Sequence, residues 1–274
     1  MVIRNNRHKY PIAAMCKVLN ISRSGYYKYK DPVKSKDIYT DLVIKVFNQN
    51  YQCYGTRRIK KVLELSNIFV SRRRIARIMR EEGLISSYTV QKFIPEKTVV
   101  NQDPIPNKIA RDFDNRDLHE VIVSDLTYVK VGNKWNYVCT IIDLYNREIL
   151  ASSCGPEKSA ELVKKTFSKI KVNLSKFKYF HTDRGSEFNN KIIEEILTLF
   201  GIKRSLSKAG SPYDNAVAES TFKSIKTELI NTRVFRNILE LENALAGYTW
   251  WFNNKRLHSS LNYKSPIQWK RQTI

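Results

Sequence analysis

Asp125, Asp183 and Glu219 are the residues of this chain whose settings best suit chemistry. Asp125 lies inside Val121-Ile122-Val123-Ser124-Asp125-Leu126-Thr127, an apolar run where a charge is expensive unless a cation or a partner offsets it. Asp183 follows the strand-like Lys178-Tyr179-Phe180-His181-Thr182, at a strand carboxyl end where α/β sites gather. Glu219 belongs to a helix expected to begin near Asp214-Asn215, with Ala218, Phe222, Ile225 and Leu229 on its buried face. Glu219, Lys223 and Lys226 fall at i, i+4 and i+7 and share a neighbouring face. Hard divalent cations take oxygen ligands, and Mg²⁺ is usually held by a few carboxylates together with water and substrate phosphates. Two such ions, about 3.5 to 4 Å apart, activate a water or a 3′-hydroxyl and stabilise the leaving oxygen of an in-line phosphoryl displacement. Any one of these acids, taken alone, is more often an ordinary surface or capping residue, so the reading depends on the three converging.

Composition names the partner. The 274 residues hold 48 Lys+Arg against 26 Asp+Glu, a formal net charge of +22. That excess exceeds what solubility needs and points to nucleic acid or an anionic surface. No apolar run reaches the roughly 18 residues of a membrane span, and the first residues lack the apolar stretch of a signal peptide. A soluble, cytoplasmic protein with no membrane partner is therefore expected. Cys16, Cys53, Cys139 and Cys154 form no CxxC pair and the four histidines are equally dispersed, which disfavours structural zinc. Cys139 and Cys154 lie in apolar, strand-like segments and read as core residues.

The elements that must position these residues form a sequence of modules. Residues 1–35 read as a helix-turn-helix segment, with Ile12, Met15, Val18 and Leu19 at helical spacing, Asn20 ending one helix and Ser22 capping the next. Residues 36–91 read as a second helix-turn-helix domain: a helix over Ile38 to Phe47, a break at Gly55, an apolar face of Ile59, Val62, Leu63 and Leu65, and a third helix capped by Ser71. That third helix should bury Ile75, Ile78 and Met79 and project Arg72, Arg73, Arg74, Arg77 and Arg80. A cationic helix on a three-helix core suits the DNA major groove; the plainer alternative is a solvated face. Residues 92–115, with Pro95, Pro104 and Pro106, read as a linker.

Residues 116–235 then carry strands at Val121 to Val131, Trp135 to Ile142 and Glu148 to Ser153, a helix over 157 to 171, a strand at Phe177 to Thr182, a helix over Lys191 to Phe200 and a strand at Ile202 to Leu206. A three-strand meander followed by strand-helix-strand predicts an α/β fold, a mixed sheet covered by helices, with residues 236–274 as a helical tail.

Ser124-Asp125-Leu126-Thr127, His181-Thr182-Asp183-Arg184-Gly185-Ser186-Glu187-Phe188 and the block from Ser211 to Ser220 that contains Glu219 resemble the three signature blocks of retroviral-integrase-type DDE transposases. The resemblance is strongest to the OrfB product of two-frame bacterial insertion sequences. Between Asp183 and Glu219 lie 35 residues, the spacing that names the DD(35)E group, and Lys226 matches a basic residue that the family places against the element's end. The segment from Trp251 to Pro266 is similar to the family's closing motif, and Met15 to Leu19 with Ser22 to Tyr27 is similar to its opening. Departures are Ile122 where Trp is common and Arg184 and Glu187 where Gln is frequent; Asp143 also matches a family position but reads as a supporting or turn residue. His181 suits either support of Asp183 or simple packing at the strand end.

The resemblance implies an RNase H-like catalytic core preceded by small all-α helix-turn-helix modules. It implies catalysis and metal binding by Asp125, Asp183 and Glu219 with two Mg²⁺ ions, Mn²⁺ being an alternative, and DNA contact by Lys226; Lys223 and the five arginines are expected to touch DNA from their positions on their helices. Cleavage of insertion-sequence ends and transfer of the 3′-hydroxyl strand to target DNA would follow. Implied partners are terminal-repeat and target DNA on the bacterial nucleoid, a further copy of the chain, and an upstream OrfA product joined by frameshifting, without which end binding should be poor. Two other functions fit parts of the pattern: a DNA-binding regulator that needs no triad, and a metal-dependent nuclease that cannot join ends.

Overall fold

A computed structural model of the protein describes residues 2–30, 36–89, 116–207 and 216–273; the expected linker and the segment 208–215, with Asp214 and Asn215, lie outside the described residues. The chain forms two compact units, Met1–Leu42 and Val43–Ile274. Among the described residues no helix is long and apolar enough to cross a membrane.

The first unit holds α1 (Val2–Asn6), α2 (Ile12–Val18) and α3 (Arg23–Lys30). Asn20 ends the α2 turn in the left-handed region at φ 51°, and Ser22 Oγ accepts from the Gly25 backbone N–H at 2.9 Å to start α3. Cys16 is buried, whereas Val18 and Leu19 of the expected apolar face are exposed, because so small a unit has little interior to cover them.

The second unit begins within α4 (Thr40–Gln49) and continues through α5 (Thr56–Leu65) and α6 (Arg72–Glu81). Ile59 and Leu63 of α5 and Ile75, Ile78 and Met79 of α6 are buried; Leu65, expected on an apolar face, is exposed, and Ile38, expected to open the first helix, is exposed ahead of α4. Ser71 Oγ accepts from the Arg74 N–H at 3.2 Å, capping α6 as its position before an apolar-periodic run predicts.

The sheet comprises β1 (Val121–Val131), β2 (Lys134–Asp143), β3 (Ile149–Gly155), β4 (Tyr179–Thr182) and β5 (Lys203–Leu206), in the order β3-β2-β1-β4-β5. The first three are an antiparallel meander; β4 and β5 join β1 in parallel, giving the mixed RNase H-like sheet. Gly132, at φ 55°, makes the β1–β2 turn, where a Cβ would press on the Arg236 carbonyl at 3.4 Å. Asp143 is fully buried and shapes the next turn: its carboxylate accepts from the Tyr145 N–H at 2.9 Å and the His119 N–H at 3.2 Å, and pairs with His119 Nδ1 at 2.8 Å.

One apolar layer joins Ile122, Cys139, Ile141 and Phe180 of the sheet to α7 (Ala160–Phe167) and α8 (Lys191–Leu199). The pleat sends Val121, Val123 and Asp125 to the other face, where α9 (Ala216–Glu228) packs against β1. Next come α10 (Ile238–Asn254), lying on β3, and α11 (Pro266–Thr273). Asn253 of α10 meets the β3 backbone in both senses, accepting from Ile149 N–H at 2.9 Å and donating to Ile149 C=O at 2.8 Å. All four cysteines are buried and free.

Candidate active site

Strand register brings the two aspartates together. β1 and β4 run parallel with Val123 beside His181, and two residues further along both chains stand Asp125 and Asp183. Adjacent strands are about 4.8 Å apart, which places Asp125, the fifth residue of β1, near Asp183, the residue that follows β4. Asp125 lies just past the last rung that β4 supplies, still paired with Thr140 of β2 on its other flank. The Leu126 N–H donates to Asp125 Oδ1 at 2.8 Å, and the Gly185 N–H donates to Asp183 Oδ1 at 3.0 Å.

Glu219 comes from the first turn of α9 and Lys226 from its last. Burial first, and then the charge of Asp183, push the Asp125 carboxyl up to about 7; Glu219 adds to the rise and Lys226 opposes it. Glu219 is raised as well, by burial and then by Asp183. The charge of Asp183 thus acts on both Asp125 and Glu219, and Glu219 acts on Asp125. Among the described residues, no three His, Cys, Asp or Glu side chains already surround a common metal position. The donor set nonetheless suits a hard divalent cation: it is all carboxylate oxygen, and its mutual repulsion is what a cation would relieve.

Lys226 also lies over the Tyr128 ring, 5.0 Å from its centroid, and Tyr128 packs edge-on against Trp135 at 5.2 Å. Both rings are more than half exposed, which leaves an aromatic edge beside Lys226. Lys223 is exposed on the same helix, and Arg72, Arg73, Arg77 and Arg80 are exposed on α6 with Arg74 half-buried.

Two charged residues were not among the sequence-derived candidates. Glu187 is 4% exposed; its Oε1 pairs with Lys158 Nζ at 3.0 Å, while Oε2 has no hydrogen-bond partner among the described residues. Burial works against the Lys158 ammonium, but Glu187, Asp183 and Asp125 together raise its pKa. A side chain at position 185 would run into the Glu187 carboxylate, which would have to shift away from its present place. The one signal in the sequence was Glu187 standing where Gln is frequent; nothing marked Lys158. His181 is a packed histidine: it is fully buried and its ring nitrogens meet Ser205 Oγ at 2.9 Å and Ser207 Oγ at 3.1 Å.

Integrase core domain families match residues 117–212 and 200–266, and an HTH-like domain family matches residues 34–92. The chain is 32% identical over 267 residues to the insertion element IS600 uncharacterized 31 kDa protein of Shigella sonnei, spanning 94% of this chain and 98% of that one. It is 27% identical over 277 residues to the putative transposase InsK for insertion sequence element IS150 of Escherichia coli (strain K12), spanning 99% and 98%. Among solved structures, the HTLV-2 integrase catalytic core domain in complex with magnesium aligns with 55% of this chain and 95% of its own, at 20% identity and a TM-score of 0.44.

Proposed function

The chain belongs to the insertion-sequence transposases that carry an integrase core domain, and on that premise we propose that it cuts DNA at the ends of its element and joins the freed strand to target DNA. The observation that carries the reading is that Asp125, within β1, and Asp183, just after the parallel neighbour β4, lie along adjacent strands, with the charges of Asp183 and Glu219 raising the Asp125 carboxyl. In cleavage, a water oxygen forms a bond to phosphorus as the 3′-oxygen leaves. In joining, that 3′-hydroxyl forms the new P–O bond as a target 3′-oxygen leaves. Neither step needs a covalent protein–DNA intermediate.

Asp125, Asp183 and Glu219 would hold two Mg²⁺ ions, with Mn²⁺ as a substitute. Such ions, when bound, supply Lewis-acid stabilisation of the phosphoryl oxygens and lower the pKa of the attacking hydroxyl. Asp125 must give up its proton to serve, which the cationic Lys226 favours. Lys223 and Lys226 hold the strand beside the carboxylates, and the arginines of α6 hold duplex further out. Concerted action on two element ends calls for at least two copies of the chain, and an upstream OrfA product would supply further end recognition. The substrate places the reaction on the bacterial nucleoid.

The test incubates the full chain with a labelled element end, a target plasmid and Mg²⁺. Wild type is expected to cleave and join, and Asp183→Asn to do neither while binding the end with unchanged affinity. Cleavage without joining would make it a nuclease, and binding without any triad-dependent cleavage would make it a regulator; either outcome overturns strand transfer.

A further inference from the structure

We propose that Lys158 is a positioning residue of the carboxylate site, fixing through Glu187 the turn that carries Asp183; the inference rests on the strand-transfer reading and its metal site. Lys158 stands between β3 and α7, directly before Ser159, whose Oγ accepts from the Leu162 N–H at 3.4 Å and caps α7. That cap and the packing of α7 on β3 fix the backbone from which Lys158 reaches out. Its Nζ meets Glu187 Oε1 at 3.0 Å, with the lysine side chain 48% exposed and the glutamate side chain 2%. A carboxylate so deeply buried is costly without a partner, and Lys158 brings it a cation.

From Glu187 the contacts lead to Asp183. A Cβ built on residue 185 would run into all three heavy atoms of the Glu187 carboxyl group, so that group lies directly against Gly185. The N–H of the same glycine donates to Asp183 Oδ1 at 3.0 Å. Beyond the turn, Phe188 is fully buried and its N–H donates to the Gly185 carbonyl at 3.0 Å, while Asn190 Nδ2 donates to the Glu187 carbonyl at 2.9 Å. Between β4 and these anchors the turn is tied by Arg184, whose Nε donates to the Ser207 carbonyl at 2.9 Å, and by the Lys158–Glu187 pair. The pair is the tie that bears on Gly185. Carboxylates that hold a metal are oriented by such outer partners, and losing one typically costs about 10- to 100-fold in metal affinity or activity.

Charge and position make opposite demands on Lys158, which allows them to be told apart. The charges of Asp183 and Asp125 reach its ammonium, so Lys158 in turn repels a divalent cation held by those carboxylates. Deleting the charge alone would tighten the metal; loosening the turn would weaken it.

The test titrates the full chain with Mn²⁺ in the absence of DNA and follows the free ion by its electron paramagnetic resonance signal. The component of binding that Asp183→Asn removes reports the site. Lys158→Ala and Lys158→Met, the second keeping most of the stem, should each weaken that component about tenfold. Lys158→Arg, which keeps a cation to pair with Glu187, should stay within about threefold of wild type. Lys164→Ala, which removes an exposed cation of α7, should match wild type. Affinity for an element-end duplex in chelator should be unchanged in all four. Mn²⁺ binding that is unchanged or tighter in both Lys158→Ala and Lys158→Met overturns the proposal, and so does Lys158→Arg binding as weakly as Lys158→Ala. Lys158→Met gives the answer even if Lys158→Ala fails to fold. Failure of the underlying reading would appear separately, as Asp183→Asn that binds Mn²⁺ as wild type does, or as cleavage that does not depend on Asp183.

Discussion

Asp125 concentrates the conflict between burial and charge. Its carboxyl is raised from 3.8 to about 7, so the folded protein keeps a proton there that the unfolded chain releases. In chelator, this group's contribution to stability should be complete below pH 4, decline as pH rises toward 7 and stay flat above it. The whole effect is at most about 4 kcal/mol. Asp125→Asn should abolish that decline and raise the metal-free melting temperature at pH 8 by roughly 5 °C, as read by thermal unfolding. A melting temperature no higher than wild type would refute the buried-charge account. Lys158 and Glu187 make a second test. Lys158→Ala strands a buried carboxylate and should cost about 2 kcal/mol, whereas Glu187→Gln keeps the shape without the charge and should cost less than about 1 kcal/mol. Urea unfolding that ranks the two the other way would show that Lys158 does not support Glu187.

At the scale of elements, α9 carries the site at one end and its anchor at the other. Glu228, in the last turn, is fully buried and faces the negative end of the helix dipole, an unfavourable place for a carboxylate. Arg256 answers it with paired contacts, and Tyr88 and Tyr248 donate to it at 2.6 and 2.7 Å. Despite burial, Arg256 and these hydrogen bonds hold Glu228 below the usual carboxylate range. The hub ties the segment after α6, the helix bearing Glu219 and the tail into one assembly. Arg256→Ala should therefore cost about 3 to 5 kcal/mol in urea unfolding, and Arg256→Lys should not restore it, since an ammonium cannot make the forked contact. Full rescue by lysine would show that charge alone suffices.

For the molecule as a whole, the net charge of +22 sets the form of DNA binding rather than the fold. Non-specific affinity should fall steeply with salt, and removing Arg73 and Arg80 from the exposed face of α6 should reduce the log–log slope by about 0.9 for each phosphate that is no longer neutralised. An unchanged slope in salt-titrated binding would return those arginines to the plainer reading, a solvated helix face.

Local pattern by itself determined a great deal. Alternation and β-branched runs placed the strands near their observed bounds, Ser22 and Ser71 marked helix starts, and the settings of Asp125, Asp183 and Glu219 singled out three acids whose charges are coupled in the folded chain. Those signals are local, because period, capping and strand-end position are written within a few residues. Tertiary structure alone decided that His181 is consumed by two serines, that Lys158 supports Glu187, and that Arg256 reaches back 28 residues to Glu228. It also decided which apolar residues stay outside, such as Val18 and Leu65, and that Arg58, Arg147 and Lys223 share a cavity. Pairings of that kind depend on how the sheet, α9 and the tail pack, and packing joins residues whose separation along the chain carries no period.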